Sequence, residues 1–313
     1  MGLHLPLVIG MKIILIPRFD PLKFDKLVLK YKPVHMVGVP SYWGTIIKSK
    51  KLKNEDMSYM IAPTVGGDGM NVHLEKAANY FLKEHGCKYG ITKGYGMTEA
   101  SAGVAGTVDN NNEIGSVGIP FSKTVISIFE PDSDNELTYN QVGEVCISGP
   151  NVMLGYYNND EATRQIIKTH KDGKSWLHSG DMGYMNENGS LFIVDRIKRI
   201  IIRYDGFKVF PVLIDNVILG HKAISQSCTI GIEDTAHAQG KLPYVYTVLC
   251  DQYKGSEQDV KMQLMDLCKK ELAEYMQPVG IEFLKELPLT SVGKVDYQKL
   301  EKMERTNDRA ERY

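Results

Sequence analysis

No stretch of this 313-residue sequence approaches the roughly 18 consecutive apolar residues that mark a membrane-spanning helix. The longest candidate, Leu5 to Pro17, is interrupted by Lys12 and bracketed by Pro6 and Pro17. It also lacks a basic leader and a small-residue cleavage site, so no secretory signal is expected. An excess of one charge is missing as well. Lys and Arg number 37 against 38 Asp and Glu, with neither half of the chain biased. That balance removes the electrostatic footprint of a nucleic-acid or anionic-membrane partner. Cysteine is sparse. Cys87, Cys146, Cys228, Cys250 and Cys268 are odd in number and widely spaced, with no CxxC pair. This pattern fits neither a disulfide framework nor a thiol metal motif, and reduced thiols in a cytoplasmic protein are the expectation. Internal repeats and low-complexity tracts are absent too.

What remains is the composition of an ordinary globular protein, 43% hydrophobic and 24% charged, long enough for two domains. The first ninety residues alternate between strand and helix periods. Strands are expected at Met11–Ile16, Val34–Val39, Ser58–Ala62 and Tyr89–Thr92. Helices are expected after an Asp20 cap with Pro21 at the first position, over Ser41–Lys50, and over Asn71–His85 with Gly86 as terminator. Such alternation builds a parallel sheet with ligands beyond the carboxyl ends of its strands. From about Gly115 to Val194 short alternating runs predict antiparallel β structure. They are Val125–Phe129, Gly143–Ser148, Tyr184–Met185 and Leu191–Val194, the last two joined by a tight turn over Asn186–Gly189. Beyond Ile200 the pattern mixes again, with strands at Gln226–Ile232 and Tyr244–Cys250. One long helix faces inward through Val260, Leu264, Leu267, Leu272 and Met276, and a last helix follows Lys294.

Four groups of residues carry chemistry. Gly94-Tyr95-Gly96-Met97-Thr98-Glu99 combines close backbone approach with an aromatic face, a hydroxyl donor and a hard carboxylate of the kind that holds Mg²⁺ beside phosphate. A glycine-bounded turn with a solvated Glu is the plain alternative. Gly66-Gly67-Asp68 suits backbone packed on a planar base, or simply a strand-to-helix turn. In Trp176–Gly183 and Asp195-Arg196, the Asp181 carboxylate could accept both hydroxyls of a ribose diol, with Arg196 as a charge-assisted partner. A turn carboxylate and a surface ion pair are the plain alternatives, and His178 reads as a satisfied structural histidine. Pro288–Lys294 places Lys294 on a glycine-containing loop near the C-terminus.

Together these runs resemble the C-terminal part of an adenylate-forming enzyme of the acyl-CoA synthetase, luciferase and peptide-synthetase adenylation superfamily. Gly115-Ser116-Val117-Gly118, Gly143-Glu144-Val145, Gly155-Tyr156-Tyr157 and Phe192–Lys198 support the resemblance in order and spacing. It implies an α/β fold: the remainder of a parallel-sheet domain over 1–114, an antiparallel β-barrel-like subdomain over 115–197, and a small mobile α+β lid domain over 198–313. It implies that Gly66, Gly67, Asp68, Tyr95, Gly96 and Met97 bind nucleotide, with Tyr95 stacked on adenine. Thr98 would contact the α-phosphate, Glu99 would hold Mg²⁺, and Asp181 with Arg196 would hold the ribose. Lys198 matches the hinge, Gly206 the side that meets the pantetheine arm of coenzyme A, and Lys294 the lysine of adenylation. The implied chemistry is attack of a carboxylate on ATP to give acyl-AMP, then transfer to coenzyme A.

Departures from the family pattern shape the remaining expectations. The Ser/Thr/Gly-rich phosphate loop ending in Lys is not found, so the chain is expected to be a fragment, with exposed sheet edges and apolar faces. The segment from Arg203 to Gly206 is one residue longer than in many relatives. A peptide-synthetase-type domain, a luciferase-type oxygenase and an inactive nucleotide-binding fragment stand as alternatives. Gly38 to Trp43 and the small residues after Glu99 (Ala100, Ala102, Gly103) sit where the family's acyl pocket would be, and the small side chains favour a fatty acid as substrate.

Overall fold

The structure, a computed structural model, describes residues 3–16, 20, 23–108, 111–290 and 294–306, the last three by backbone alone. The chain divides into two compact units, Met1–Ile193 and Val194–Tyr313. No helix among the described residues is long and apolar enough to cross a membrane.

The first unit opens with a short helix, α1 (His4–Val8), none of whose residues is buried. Met11–Ile16 forms no strand, contrary to expectation, because no described strand pairs with it. Helix α2 spans Phe24–Tyr31, and Asp20 pairs with Lys23 at 2.7 Å. The expected Asp20 cap with Pro21 at the first helical position falls on residues 21 and 22, outside the described residues. Pro17 and Pro21 lie outside the described residues. Strand β1 (His35–Gly38), helix α3 (Pro40–Lys48, Pro at its first turn), strand β2 (Ala62–Val65), helix α4 (Val72–Glu84) and strand β3 (Thr92–Met97) follow. Helix α4 is fixed at both ends by its sequence. Asn71 caps it by accepting from the Leu74 amide at 2.8 Å, and Gly86 leaves it at φ +77°.

Strands β1, β2 and β3 are parallel, and β4 (Ala102–Gly106) and β5 (Ile119–Pro120) extend the sheet antiparallel, in the order β1-β2-β3-β4-β5. β2 and β3 lie about three residues later than the sequence suggests. Met57 and Met60 reach the core from turns rather than from a strand, so burial appears there without strand periodicity. In consequence the Gly94–Met97 run lies on β3 itself instead of following it. β1 is an edge strand, and Val34 and Val37 beside that edge are exposed.

The antiparallel region contains β6 (Val125–Phe129), β7 (Gly143–Ser148), helix α5 (Asp160–Ile166), β8 (Ile167–Thr169), β9 (Ser175–Met185) and β10 (Leu191–Arg196). Its strand order is β10-β9-β7-β6 with β8 on β9, an open sheet rather than a barrel. Among the described residues β6 ends the order with β7 as its neighbour and no pairing to β10, so the sheet does not close.

The second unit holds the hairpin β11 (Ile201–Ile202) and β12 (Lys208–Val209), helix α6 (Pro211–Leu219), β13 (Ile224–Glu233), β14 (Lys241–Leu249), helix α7 (Glu257–Glu271), β15 (Gly280–Phe283) and helix α8 (Tyr297–Thr306). Helix α7 is shorter than expected: Leu272 ends it, and Met276 is buried from a 3-10 turn. The sheet β13-β14-β15 is apolar on both faces, with period two. Val245 packs with Ile214, Ile218, Val260 and Leu264 on one side, while Tyr244, Tyr246 and Val248 pack with Leu300 on the other.

One buried ion pair organises the first unit. Lys93 of β3 and Glu75 of α4 are 5% and 1% exposed, and the Lys93 ammonium bonds the Glu75 carboxylate. Lys93 Nζ also donates to the Glu113 carbonyl at 2.8 Å, and Glu75 Oε2 accepts from the Gly115 amide at 2.9 Å. We expect Lys93→Met to destabilise the chain by about 3–5 kcal/mol, because it strands a buried carboxylate. Adding Glu75→Gln, which can still accept from Gly115, should recover most of that loss. Urea denaturation of the two variants checks this, and a Lys93→Met cost below about 1 kcal/mol would exclude it.

Candidate functional site

The residues of the Gly94–Glu99 run leave β3 and enter a 3-10 turn over Thr98–Ala100. The turn is sharp. Ser101 and Ala102 both have positive φ, +56° and +102°, and the Ala102 carbonyl folds back over Gly96. A Cβ on Gly96 would stand 1.7 Å from that oxygen, so only glycine fits there. Met97 packs partly buried against the core of the antiparallel sheet, Thr98 is exposed, and Glu99 is half-buried.

Beyond the strand ladder, three hydrogen bonds tie this run to the rest of the unit. The Tyr95 hydroxyl donates to Asp181 Oδ2 at 2.6 Å, linking β3 to β9. Asp181 is buried, and its amide donates to Ser179 Oγ at 3.1 Å, so its position is held from the backbone as well. The Tyr156 hydroxyl donates to Glu99 Oε1 at 2.7 Å, and the carboxylate it meets pushes the Tyr156 phenol pKa upward. The Met153 amide donates to the Glu99 carbonyl at 2.8 Å. Tyr156 was visible in the sequence only as part of a glycine-tyrosine run. Its contact with Glu99 spans 57 residues, and no local spacing announces it.

Gly66 and Gly67 follow β2. The Gly66 amide donates to the Gly38 carbonyl at 3.0 Å, Gly67 has φ +79°, and a Cβ on Gly66 would meet the Gly94 carbonyl at 3.4 Å. The glycine pair and the Gly94 run therefore lie side by side at the carboxyl ends of adjacent parallel strands. Asp68 Oδ1 accepts from the Gly69 amide at 2.9 Å. Gly66, Gly67, Tyr95, Gly96, Met97, Thr98, Glu99 and Asp181 all belong to the first unit.

Arg196, Lys198, Gly206 and Lys294 belong to the second. Arg196 is exposed at the end of β10, and Lys198 is exposed in the 3-10 turn Ile197–Arg199. Gly206, at φ +82°, closes the hairpin turn in which its amide donates to the Arg203 carbonyl at 3.0 Å. Lys294 is half-buried, and its amide donates to Thr290 Oγ1 at 3.2 Å. Ser291, Val292 and Gly293 lie outside the described residues. Of the residues near the expected acyl pocket, Trp43 and Ala100 are fully buried among core residues, whereas Ala102 is exposed.

His178 is a buried histidine with both ring nitrogens engaged, Nδ1 with Glu144 Oε2 at 2.8 Å and Nε2 with His170 Nε2 at 3.0 Å.

Comparison with known proteins places these features. A family model described as "AMP-binding enzyme" matches residues 1–157, and one described as "AMP-binding enzyme C-terminal domain" matches residues 213–294. A long-chain-fatty-acid–CoA ligase of Bacillus subtilis is 33% identical over 96% of this chain and 50% of its own length. A luciferin 4-monooxygenase of Nipponoluciola cruciata is 31% identical over 93% of this chain and 50% of its own length. A probable 4-coumarate–CoA ligase of Dictyostelium discoideum is 31% identical over 91% and 50%. The chain thus spans about half the length of the curated relatives it matches. ATP-bound MatB from Rhodopseudomonas palustris shares the fold, with TM-score 0.83 and 23% identity over 96% of this chain and 56% of its own. The o-succinylbenzoate CoA synthetase of Bacillus subtilis, solved with its acyl-adenylate, has TM-score 0.74 and 26% identity over 94% and 56%.

The Tyr95–Asp181 bond yields a direct test. Tyr95→Phe removes a hydrogen bond to a buried carboxylate and should cost about 1.5–3 kcal/mol of stability. Tyr156→Phe, whose bond to Glu99 is exposed, should cost less. Equal losses in chemical denaturation would contradict this ranking.

Proposed function

Because the chain belongs to the AMP-binding enzyme family, we propose that it serves ATP-dependent activation of a carboxylic acid to acyl-AMP, followed by transfer to the thiol of coenzyme A. The observation that carries this reading is the Tyr95–Asp181 contact beside Glu99 and the paired glycine runs. An aromatic face, a buried carboxylate, a hydroxyl and a hard oxygen ligand meet in one unit, as a nucleotide site requires.

In this reading Gly66 and Gly67 present bare backbone to the adenine, and the Tyr95 ring lies on its face. Asp181 accepts the two ribose hydroxyls with Arg196 as partner, and the Thr98 hydroxyl donates to an α-phosphate oxygen. Glu99 suits Mg²⁺, which binds through one or two carboxylates and substrate phosphates while keeping several waters. Bound there, the ion supplies charge neutralisation to the phosphates. Lys294 brings a positive charge to the phosphoryl group as negative charge spreads over it. The second unit turns about Lys198 between the two half-reactions, and the Gly206 turn faces the pantetheine arm. Asp68, Gly96 and Met97 shape the walls of the nucleotide site.

The substrates that the relatives' names carry range from fatty acids to coumarate and luciferin. We assign a fatty acid to this chain on the small side chains of Ala102 and Gly103 beside the turn. The five cysteines are free and four are buried, which supports a cytoplasmic setting.

The test has two parts. The purified chain should bind AMP, and Asp181→Asn should weaken binding by roughly tenfold or more, the worth of a charge-assisted hydrogen bond. In the polypeptide that adenylates, Lys294→Ala should cut acid-dependent pyrophosphate release by about two to three orders of magnitude, as loss of a preorganised charge does. Unchanged release in that variant would remove Lys294 from the reaction. Failure of the chain to bind AMP would leave it a non-catalytic fragment. A panel of acids of graded length tests the substrate, and activation of short or aryl acids alone would overturn the fatty-acid assignment.

A further inference from the structure

On the strand that carries Asp181, the antiparallel sheet buries a second polar group, in which Glu144 Oε1 accepts from the Gly180 amide at 3.1 Å. Glu144 and Cys146 are two residues apart on β7, so both side chains leave the same face. Cys146 lies directly opposite His178 of β9. The register shifts between Glu144 and Cys146, and this irregularity brings the Glu144 carboxylate to the same imidazole. His178 Nδ1 stands 2.8 Å from Glu144 Oε2 and 3.6 Å from Cys146 Sγ. One ligand atom from each of the three residues falls within 4.8 Å of the others, and all three residues are buried. Behind them, His170 Nε2 lies 3.0 Å from His178 Nε2.

We infer that Glu144, Cys146 and His178 form a buried site for a divalent transition-metal ion, with zinc as the best fit and His170 as the residue that orients His178. The geometry is near what the ion needs. With Zn–S about 2.3 Å and Zn–N about 2.0 Å, a tetrahedral ion holds a sulfur and a nitrogen about 3.5 Å apart. The Cys146–His178 separation already matches. The Glu144–His178 separation is that of a hydrogen bond and must open by about half an ångström to admit the ion. Charge also matches, since a carboxylate and a thiolate together cancel a divalent cation and leave a neutral buried group. Three protein ligands leave a fourth position for water or backbone.

His170 supplies the second observation. It is 8% exposed, and its Nδ1 has no hydrogen-bond partner among the described residues. An apolar side chain would occupy this place without the cost of about 1–3 kcal/mol that an unpaired buried polar atom carries. A histidine is useful there because it fixes the tautomer of His178. When the ion takes His178 Nδ1, the proton of that ring sits on Nε2 and is donated to His170 Nε2. His170 then carries its own proton on Nδ1. Both imidazoles stay neutral, the Cys146 S–H bond breaks as the metal–sulfur bond forms, and one proton per ion goes to solvent.

The test uses the full chain, stripped with chelator and titrated with Co²⁺ and then Zn²⁺. Expected are one ion per chain, a thiolate-to-cobalt absorption band, release of one proton per zinc, and a rise in melting temperature with zinc. Cys146→Ala should lose the absorption band and the zinc-dependent rise. His170→Phe should weaken zinc binding by about 10–100-fold while the thiolate band persists, the usual effect of a second-sphere partner. Since Cys146→Ala could also disturb packing, Cys268→Ala, which removes a buried thiol of the second unit, serves as the control that keeps full binding. No bound ion at micromolar metal, or a cobalt spectrum unchanged by Cys146→Ala, would overturn the site and leave a hydrogen-bonded cluster alone.

Discussion

The buried pair of Lys93 and Glu75 is the constraint on which the first unit rests. Two charges taken out of water repay their desolvation only when each also finds hydrogen bonds. Here each does, and both extra bonds go to one short segment, Glu113–Gly115. Burial lowers the Lys93 pKa, and the Glu75 carboxylate opposes that shift. Through Lys93 the Glu113 carbonyl is fixed, and through Glu75 the Gly115 amide. The Glu113 side chain in turn accepts from Asn186, Asn188 and Ser190 in the turn between β9 and β10. One chain of polar contacts thus runs from helix α4, through β3, to the antiparallel sheet. Its middle member immediately precedes the Gly94–Glu99 run.

That placement explains why the candidate site can be precise although much of it sits on a turn. Gly96 and Ala102 approach too closely for any side chain at 96, so the turn has essentially one shape. Its root is held by Lys93, its face by Asp181 through Tyr95, and its tip by Tyr156 and Met153 through Glu99. A run anchored at three points does not wander, and a site built on supported residues is better defined than one on a free loop.

How much of this was legible follows from which forces were local. Helix α4 announced itself by its helical run over Asn71–His85 and the terminal Gly86, and β6 and β7 by alternation alone. The grouping of Gly66-Gly67 with Gly94–Glu99 was readable because both follow short apolar runs in an alternating pattern. β2 was misplaced because Met57 and Met60 are buried from a turn, and burial without a strand looks like a strand in the sequence. The cluster around His178 was hidden for a different reason. Its members are joined across strands by register and by a shift between Glu144 and Cys146, and neither is written in the spacing of Glu144, Cys146, His170 and His178.

The second unit adds a point about the proposed hinge. Asp195 is buried, and its Oδ2 accepts from the Val212 amide at 3.2 Å, so a residue from β10 caps the first turn of α6. Its Oδ1 accepts from the Arg196 amide at 2.8 Å and faces Arg199 at 3.5 Å. Arg199 continues to the Tyr297 ring of α8, 5.3 Å from its centroid. Lys198 therefore sits exposed between two residues that are both tied into the same unit. A backbone rotation at Lys198 has to carry Asp195 away from Val212 or leave Asp195 behind with α6. The first course gives up a charge-assisted bond worth about 1.5–3 kcal/mol, so in the proposed rotation the α6 cap, more than the lysine itself, would set the resistance.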